Sequence, residues 1–281
     1  MRNRPFDLHA HSGFSDGTVT PERIVNEAKE KGLELVALTD HDTVEGVSRA
    51  MEEGRRIGQR VIPALEMDTD FTAVLHILGY GIDIHNGELG ETLRKAQCDR
   101  AKRNERIVDA LYGMGMDIRG CLDKTEGVST RLNIAVALRD AGYVSSVAEA
   151  IERYLKKGMP AFVACEHVLP REAIAIIHRA GGFAVLAHPH KIRADVPSLV
   201  QSLAADGLDG IEAYYPGTTP GERRLYLTLA RQYGLMVTCG SDYHGSNRSG
   251  VELGCAYEPV PALEATLERL LERIAAQTDK P

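Results

Sequence analysis

The sequence predicts an α/β protein in which strands and helices alternate around a parallel sheet, with one β/α barrel interrupted by a helical insertion as the default reading. Three observations predict it. Short apolar runs rich in Val, Ile and Leu alternate with segments of helical period towards both ends of the chain. Between about residues 86 and 164 that alternation fails and only helical period remains. The 281 residues, 43% of them hydrophobic, are enough to bury one substantial core or two modest ones. The division expected is a barrel domain of residues 1–85 and 165–281 with an inserted helical subdomain, 86–164, covering its active face.

Taken in order, residues 5–9 read as a strand. Thr20-Pro21 supplies an N-cap and a proline at the first helical position of a helix to about Lys31. Leu33–Thr39 is the next strand, Val44–Ile57 a helix, Arg60–Glu66 a strand and Ala73–Tyr80 another. The insertion reads as helices Glu91–Met114, Thr130–Ala141 and Val147–Lys156, separated by Gly-containing turns. The alternation then resumes with helix Arg171–Ala180, strand Phe183–His188, helix Val196–Ala205, strand Gly210–Tyr214, helix Glu222–Tyr233, strand Leu235–Gly240 and a final amphipathic helix Ala262–Ala276.

Composition narrows the class. No run of about 18 apolar residues occurs, and Met1-Arg2-Asn3-Arg4-Pro5 has no signal-like apolar stretch, so a soluble, cytoplasmic protein is expected. The five cysteines are odd in number and lack C-x-x-C spacing, which points to reduced thiols rather than a disulfide framework or a cysteine zinc site. A net charge of -7 argues against broad binding to nucleic acid or anionic membrane.

His9-Ala10-His11 sits at the end of the first strand, and side chains two apart on a strand share a face, so both imidazoles can reach one ion. A bare H-x-H is weak. Its context is stronger, because later strands also end in ligand-type residues: Asp40-His41-Asp42, Glu66, His188 and Asp242-Tyr243-His244, with His76 inside the fourth strand. Strand ends of a β/α barrel converge on one face, where Asp, Glu and His are costly to bury unless cations compensate. Singly, each has a bland alternative. His76 reads as a hydrogen-bonded core histidine, His188 as a turn residue before Pro189, and Asp42 or Asp70 as a cap or a solvated carboxylate.

Together the segments Asp7-Leu8-His9-Ala10-His11-Ser12, Ser15-Asp16-Gly17, Thr39-Asp40-His41-Asp42-Thr43, Ala64-Leu65-Glu66, His76-Ile77-Leu78-Gly79-Tyr80, Ala187-His188-Pro189 and Gly240-Ser241-Asp242-Tyr243-His244 resemble the PHP (polymerase and histidinol phosphatase) superfamily of phosphoesterases. The resemblance implies a distorted (β/α)7 TIM-like barrel with a trinuclear metal site. It implies one ion on His9, His11, Glu66 and Asp242, a second on Glu66, His76 and His188, and a third on Asp16, His41 and His244. Many relatives carry Cys where this chain has His188. Two or three divalent ions are expected, Mn2+ first, with Fe2+ or Zn2+ also suited to these ligands.

The helical segment, through Ser129-Thr130-Arg131-Leu132-Asn133, Glu149–Leu155 and Gly158–Val163, resembles the small members that act on nucleoside 3′,5′-bisphosphates and on short RNA 5′ ends. The resemblance implies hydrolysis of the 3′-phosphate to give a nucleoside 5′-monophosphate. Paired ions about 3.5–4 Å apart can bridge a hydroxide for in-line attack. Glu66 and Asp242 are then the catalytic carboxylates, with His190 or the third ion stabilising the departing alkoxide. The uncleaved phosphate would be bound by Arg131, with Ser129, Asn133 and Lys157 or Lys191 nearby. For Lys157 an exposed helix-end lysine is an equal reading. The expected partner is a small nucleotide or a short oligoribonucleotide, with no membrane or stable DNA binding. The rival readings are a histidinol-phosphate-type or other sugar phosphomonoesterase, a metal-dependent amidohydrolase, and a structural metal site with no catalysis.

Overall fold

The computed structural model describes residues 3–71, 75–122 and 127–278. Seven strands follow one another round the sheet in chain order: β1 (Phe6–Asp7), β2 (Leu35–Leu38), β3 (Val61–Asp68), β4 (His76–Tyr80), β5 (Phe183–Leu186), β6 (Gly210–Tyr214) and β7 (Met236–Cys239). The Leu8 N–H donates to the Cys239 carbonyl at 3.1 Å, and Ala10 bridges Tyr243, so the first and last strands meet. The result is a nearly closed mixed barrel with helices around it.

Neighbouring strands are parallel except at β4, which runs antiparallel to both β3 and β5. This corrects the all-parallel expectation. Residues 69–75 are too few for a crossover helix, which needs a dozen or more residues, so the chain can only turn back on itself. The expected start of this strand, Ala73-Val74, lies outside the described residues.

Local signals explain most of the helices. In α1 (Pro21–Glu30) the Thr20 side chain accepts from the Arg23 N–H, Pro21 fills the first turn, and Ile24, Val25 and Ala28 face inward. Helix α2 (Val47–Ile57) stops at Gly58, whose φ of 70° is the left-handed cap that glycine adopts without strain.

Between β4 and β5 the chain runs through α3 (Gly87–Gly113), α4 (Arg131–Asp140) and α5 (Val147–Ala150), the last continued by a π-helical turn, Ile151–Leu155, in the segment expected as an insertion. Helix α3 serves two cores. Its Leu89 and Leu93 join the barrel core of Ile62, Leu65, Ile77 and Leu186, whereas Ile107 and Leu111 join a second core with Ile118, Ile134, Leu138 and Leu155. The barrel is completed by α6 (Pro170–Arg179), α7 (Val196–Ala205), α8 (Pro220–Tyr233) and α9 (Pro261–Thr278). Among the described residues no helix is long and apolar enough to cross a membrane.

One buried hydrogen bond ties the reversed strand to the first: the Tyr80 hydroxyl donates to the Leu8 carbonyl at 2.9 Å. Tyr80→Phe strands that carbonyl without a partner and should cost about 1–3 kcal/mol. A urea unfolding titration showing no loss of stability would contradict this.

Candidate metal centre

The strand ends deliver their side chains to one mouth of the barrel. His9 and His11 follow β1, Asp40-His41-Asp42 follows β2, Glu66 and Asp68 close β3, His76 opens the reversed β4, His188 follows β5 and Asp242 and His244 follow β7. The hub is Glu66, which is buried. Its Oε2 lies 3.3 Å from His9 Nε2, 3.3 Å from His11 Nε2 and 3.4 Å from His41 Nδ1. Its Oε1 lies 2.8 Å from His76 Nδ1 and 2.9 Å from His188 Nε2.

Asp242 Oδ1 adds a second carboxylate to the first pair, 3.4 Å from His9 Nε2 and 3.2 Å from His11 Nε2. Across the mouth His244 Nε2 is 3.1 Å from Asp16 Oδ1, and His41 Nε2 faces Asp16 Oδ2 at 3.8 Å. Among the described residues four groups hold their ligand atoms within 4.8 Å of one another: His9, His11 and Glu66; His41, Glu66 and His76; His11, Asp16, His41 and His244; and, beside these, Asp42, Asp68 and His167.

These groups fit divalent ions. His11 Nε2 is buried and makes no hydrogen bond although two carboxylate oxygens stand close by, which is how donors aimed at a shared cation are arranged. The donors are all imidazole and carboxylate, a set suited to first-row divalent metals. The residues expected from the sequence as ligands, His9, His11, Asp16, His41, Glu66, His76, His188, Asp242 and His244, are all brought together.

A family model, the PHP domain, matches residues 7–121. The chain is 33% identical over 247 residues to a 5′-3′ exoribonuclease of Haemophilus influenzae, a match covering 86% of this chain and 90% of that one. The chain belongs to the PHP family. It is a phosphoesterase of that family. Other relatives are a phosphoribosyl 1,2-cyclic phosphate 1,2-diphosphodiesterase of Eggerthella lenta, 33% identical over 85% of this chain and 94% of that one, and a 3′,5′-nucleoside bisphosphate phosphatase of Chromobacterium violaceum, 29% identical over 97% and 99%. A solved structure from Bifidobacterium adolescentis, described as a metal-dependent phosphoesterase, superposes with a TM-score of 0.86 at 28% identity, over 97% of each chain.

The PHP centre is arranged so that charges compensate. For Glu66, burial opposes ionisation, yet His41, His9 and His76 outweigh it and hold the carboxyl well below its usual range. For His41, burial would strip the proton, but Glu66, Asp16 and Asp68 push it up to about 10. His9 is raised in the same way, against burial, by Glu212, Glu66 and Asp242. His188 goes the other way: burial, then the Lys191 charge, hold it neutral and ready to donate a lone pair.

Beside the metal residues opens a cavity of about 440 Å³ lined on the far side by Arg100, Arg103, Arg131, Leu132 and Ile151 of the insertion. Of the residues expected to bind substrate, Arg131 and Lys191 line it. Lys191 donates to Asp242 Oδ2 at 2.9 Å, an oxygen that also accepts from Tyr215 and Arg248. Ser129, Asn133 and Lys157 stand outside the lining. The Asn133 side chain is occupied as a cap, accepting from the Thr130 N–H at 2.7 Å, and Lys157 is exposed. The Ser129 carbonyl accepts from Asn104 beside a smaller neighbouring hollow. His190 packs its ring against Tyr215, centroids 4.6 Å apart, also off the lining.

Several residues at the centre were not anticipated. Glu212 stands behind it, with Oε1 2.9 Å from His9 Nδ1 and Oε2 accepting from the His188 N–H at 2.7 Å. Asp68 contacts His41 and His76, and Arg100 reaches both Asp68 and Asp42. Asp42 is therefore neither a cap nor solvated. It is a buried ion-pair partner.

Because the raised histidines hold protons that a cation must displace, divalent-ion binding should release protons and tighten as pH rises towards about 10, where His41 gives up its proton unaided. Calorimetric titration in two buffers of different ionisation enthalpy checks this, and identical heats in both would contradict it.

Proposed function

We propose that the protein hydrolyses the 3′-phosphate of nucleoside 3′,5′-bisphosphates, yielding a nucleoside 5′-monophosphate and phosphate. One observation carries the reading. Arg103 and Arg131 line the same cavity as the metal residues, and no ion pair with a carboxylate is found for either among the described residues. Arg103 is only 2% exposed, and burial, with Arg100 and Arg131 nearby, pushes its pKa down to about 9. Arg131 is lowered too, first by burial, and its Nε has no partner. One buried and one half-buried guanidinium, bonded only to neutral oxygens in Asn104 and the Val163 carbonyl among the described residues, keep a net positive charge that a ligand anion would stabilise. A substrate with a second phosphate supplies that anion. The relative named as a 3′,5′-nucleoside bisphosphate phosphatase, alignable over nearly the whole chain, supports the choice.

The nine His, Asp and Glu residues would hold two or three divalent ions, Mn2+ foremost, which supply Lewis acidity and lower the pKa of a bound water. The protein's own residues do the rest. Arg103 and Arg131 bind the 5′-phosphate, Leu132 and Ile151 offer an apolar wall to the nucleoside, and Lys191 and Arg248 bring positive charge beside Asp242. As the P–O3′ bond breaks, Lys191 is better placed than His190 to donate a proton to the leaving oxygen, because Lys191 lines the cavity and holds its ammonium on Asp242, whereas His190 stands off the lining. Residues 86–164 form the subdomain that covers the centre. A nucleotide substrate suits an enzyme of the cytoplasm.

The exoribonuclease relative favours a second reading with the same P–O3′ cleavage: a 5′-phosphate held by the arginines, the O3′ of that nucleotide leaving, and the attacked phosphoryl group staying on the next nucleotide. Phosphate release from adenosine 3′,5′-bisphosphate, with little from AMP and slower cleavage of a 5′-phosphorylated dinucleotide, supports the first reading. The reverse order supports the second. Release from histidinol phosphate or a sugar phosphate alone would displace both.

Glu66→Ala and Asp242→Ala each remove several kcal/mol of transition-state stabilisation, so kcat/KM should fall on the order of 10³-fold. Full turnover in either purified variant refutes the ligand assignment. Arg131→Ala should raise KM for the bisphosphate about 10–100-fold, the scale of a lost charged hydrogen bond, and leave a simple aryl phosphate nearly unaffected. Equal effects on both substrates would count against the second-phosphate site.

A further inference from the structure

Asp68 ends β3 two residues after Glu66, on the same face, so its carboxylate stands beside the metal groups. Its Oδ1 is 2.9 Å from His41 Nδ1 and 3.4 Å from His76 Nε2. Its Oδ2 accepts from Arg100 of α3 at 2.9 Å, and the same Arg100 nitrogen also donates to Asp42, the residue after His41. With Nδ1 engaged by Asp68, His41 has only Nε2 left for an ion, and that atom faces Asp16 within the group that includes His11 and His244.

We propose that Asp68 is a positioning residue of the metal centre: held by Arg100 of the inserted helix, it fixes His41 with Nε2 turned towards the ion shared with Asp16 and His244. The insertion thereby completes a site whose donors all come from the barrel. The inference rests on the reading of His41, Asp16 and His244 as metal ligands. A carboxylate on the far nitrogen of a ligating imidazole sets its tautomer and ring rotation and strengthens it as a donor. Arg100 keeps that carboxylate from turning, since one guanidinium nitrogen bridges the ends of two strands.

The test is calorimetric titration of Mn2+ into the wild-type protein and Asp68→Ala. One ion should bind about 10–100-fold more weakly in the variant, with the remaining ions within about threefold of wild type. Turnover of the variant should recover as Mn2+ is raised, which a folding defect would not allow. Unchanged affinity for every ion overturns the proposal. A wild-type protein that takes up no Mn2+ removes instead the ligand reading beneath it. A second measurement avoids the variant: in the Zn2+-loaded wild type, long-range 1H–15N NMR should show His41 protonated at Nδ1 and bound through Nε2. An unprotonated Nδ1 overturns the proposal whether or not Asp68→Ala folds.

Discussion

The structure depends on one buried carboxylate. Glu66 faces five imidazoles, those of His9, His11, His41, His76 and His188, at 2.8–3.4 Å. A lone carboxylate at such depth costs several kcal/mol, so it is tolerable only if positive charge or cations meet it there. Those five histidines come from four separate stretches of chain, and only a barrel that brings its strand ends to one mouth delivers them together. The fold and the site therefore satisfy a single constraint. Closure between β1 and β7 sets His9 against Asp242, and the close approach leaves no room for a side chain at Gly240, where a Cβ would stand 2.2 Å from His9 Cβ.

The backbone is strained at three points of this mouth. Asp42, His188 and Asp242 have φ of 49°, 27° and 55°, a region that costs a non-glycine residue about 1–2 kcal/mol. Each is pinned by charge or hydrogen bonding. Asp42 is held by Arg100 and by the Asp68 N–H, His188 by its N–H donation to Glu212, and Asp242 by Lys191, Tyr215 and Arg248. Turning the backbone over at a strand end aims these side chains inward from a sheet that would otherwise point them along its faces.

Most of the metal residues were legible because they sit where an apolar run stops, and a strand end is readable from the run before it; His76, inside an apolar run, and Asp16, in a polar loop, were legible as ligands only through the family pattern. The direction of β4 was not, since a short apolar run has no polarity of its own and only the length of the preceding link decides it. Asp68 lies two residues past the expected strand end at Glu66 and carries no signal of its own in the sequence. Glu212 left a clearer trace: a carboxylate inside the apolar stretch Gly210–Tyr214 has no stable place in a barrel unless something basic faces it. Asn133 misled for a related reason, because a residue three after Thr130 can cap the helix as readily as bind a ligand, and the capping bond is the local one.

The arginines of α3 were hidden differently. Gln97–Arg106 is dense in charge and reads as a solvated helix face. The buried residues of α3, however, are Leu89, Leu93, Arg100, Arg103, Ile107 and Leu111, a single stripe in which two arginines replace apolar residues between two hydrophobic cores. A stripe that turns cationic only where it crosses the barrel mouth has been shaped by what lies opposite. Arg100 meets Asp42 and Asp68, whereas Arg103 donates to Asn104 Oδ1 and has no carboxylate partner among the described residues. The barrel thus presents acidic and imidazole donors together with Lys191 and Arg248, and the helices between β4 and β5 present Arg100, Arg103 and Arg131 across the same cavity. The net charge of -7 conceals this, because local positive potential is set by where charges sit rather than by their sum.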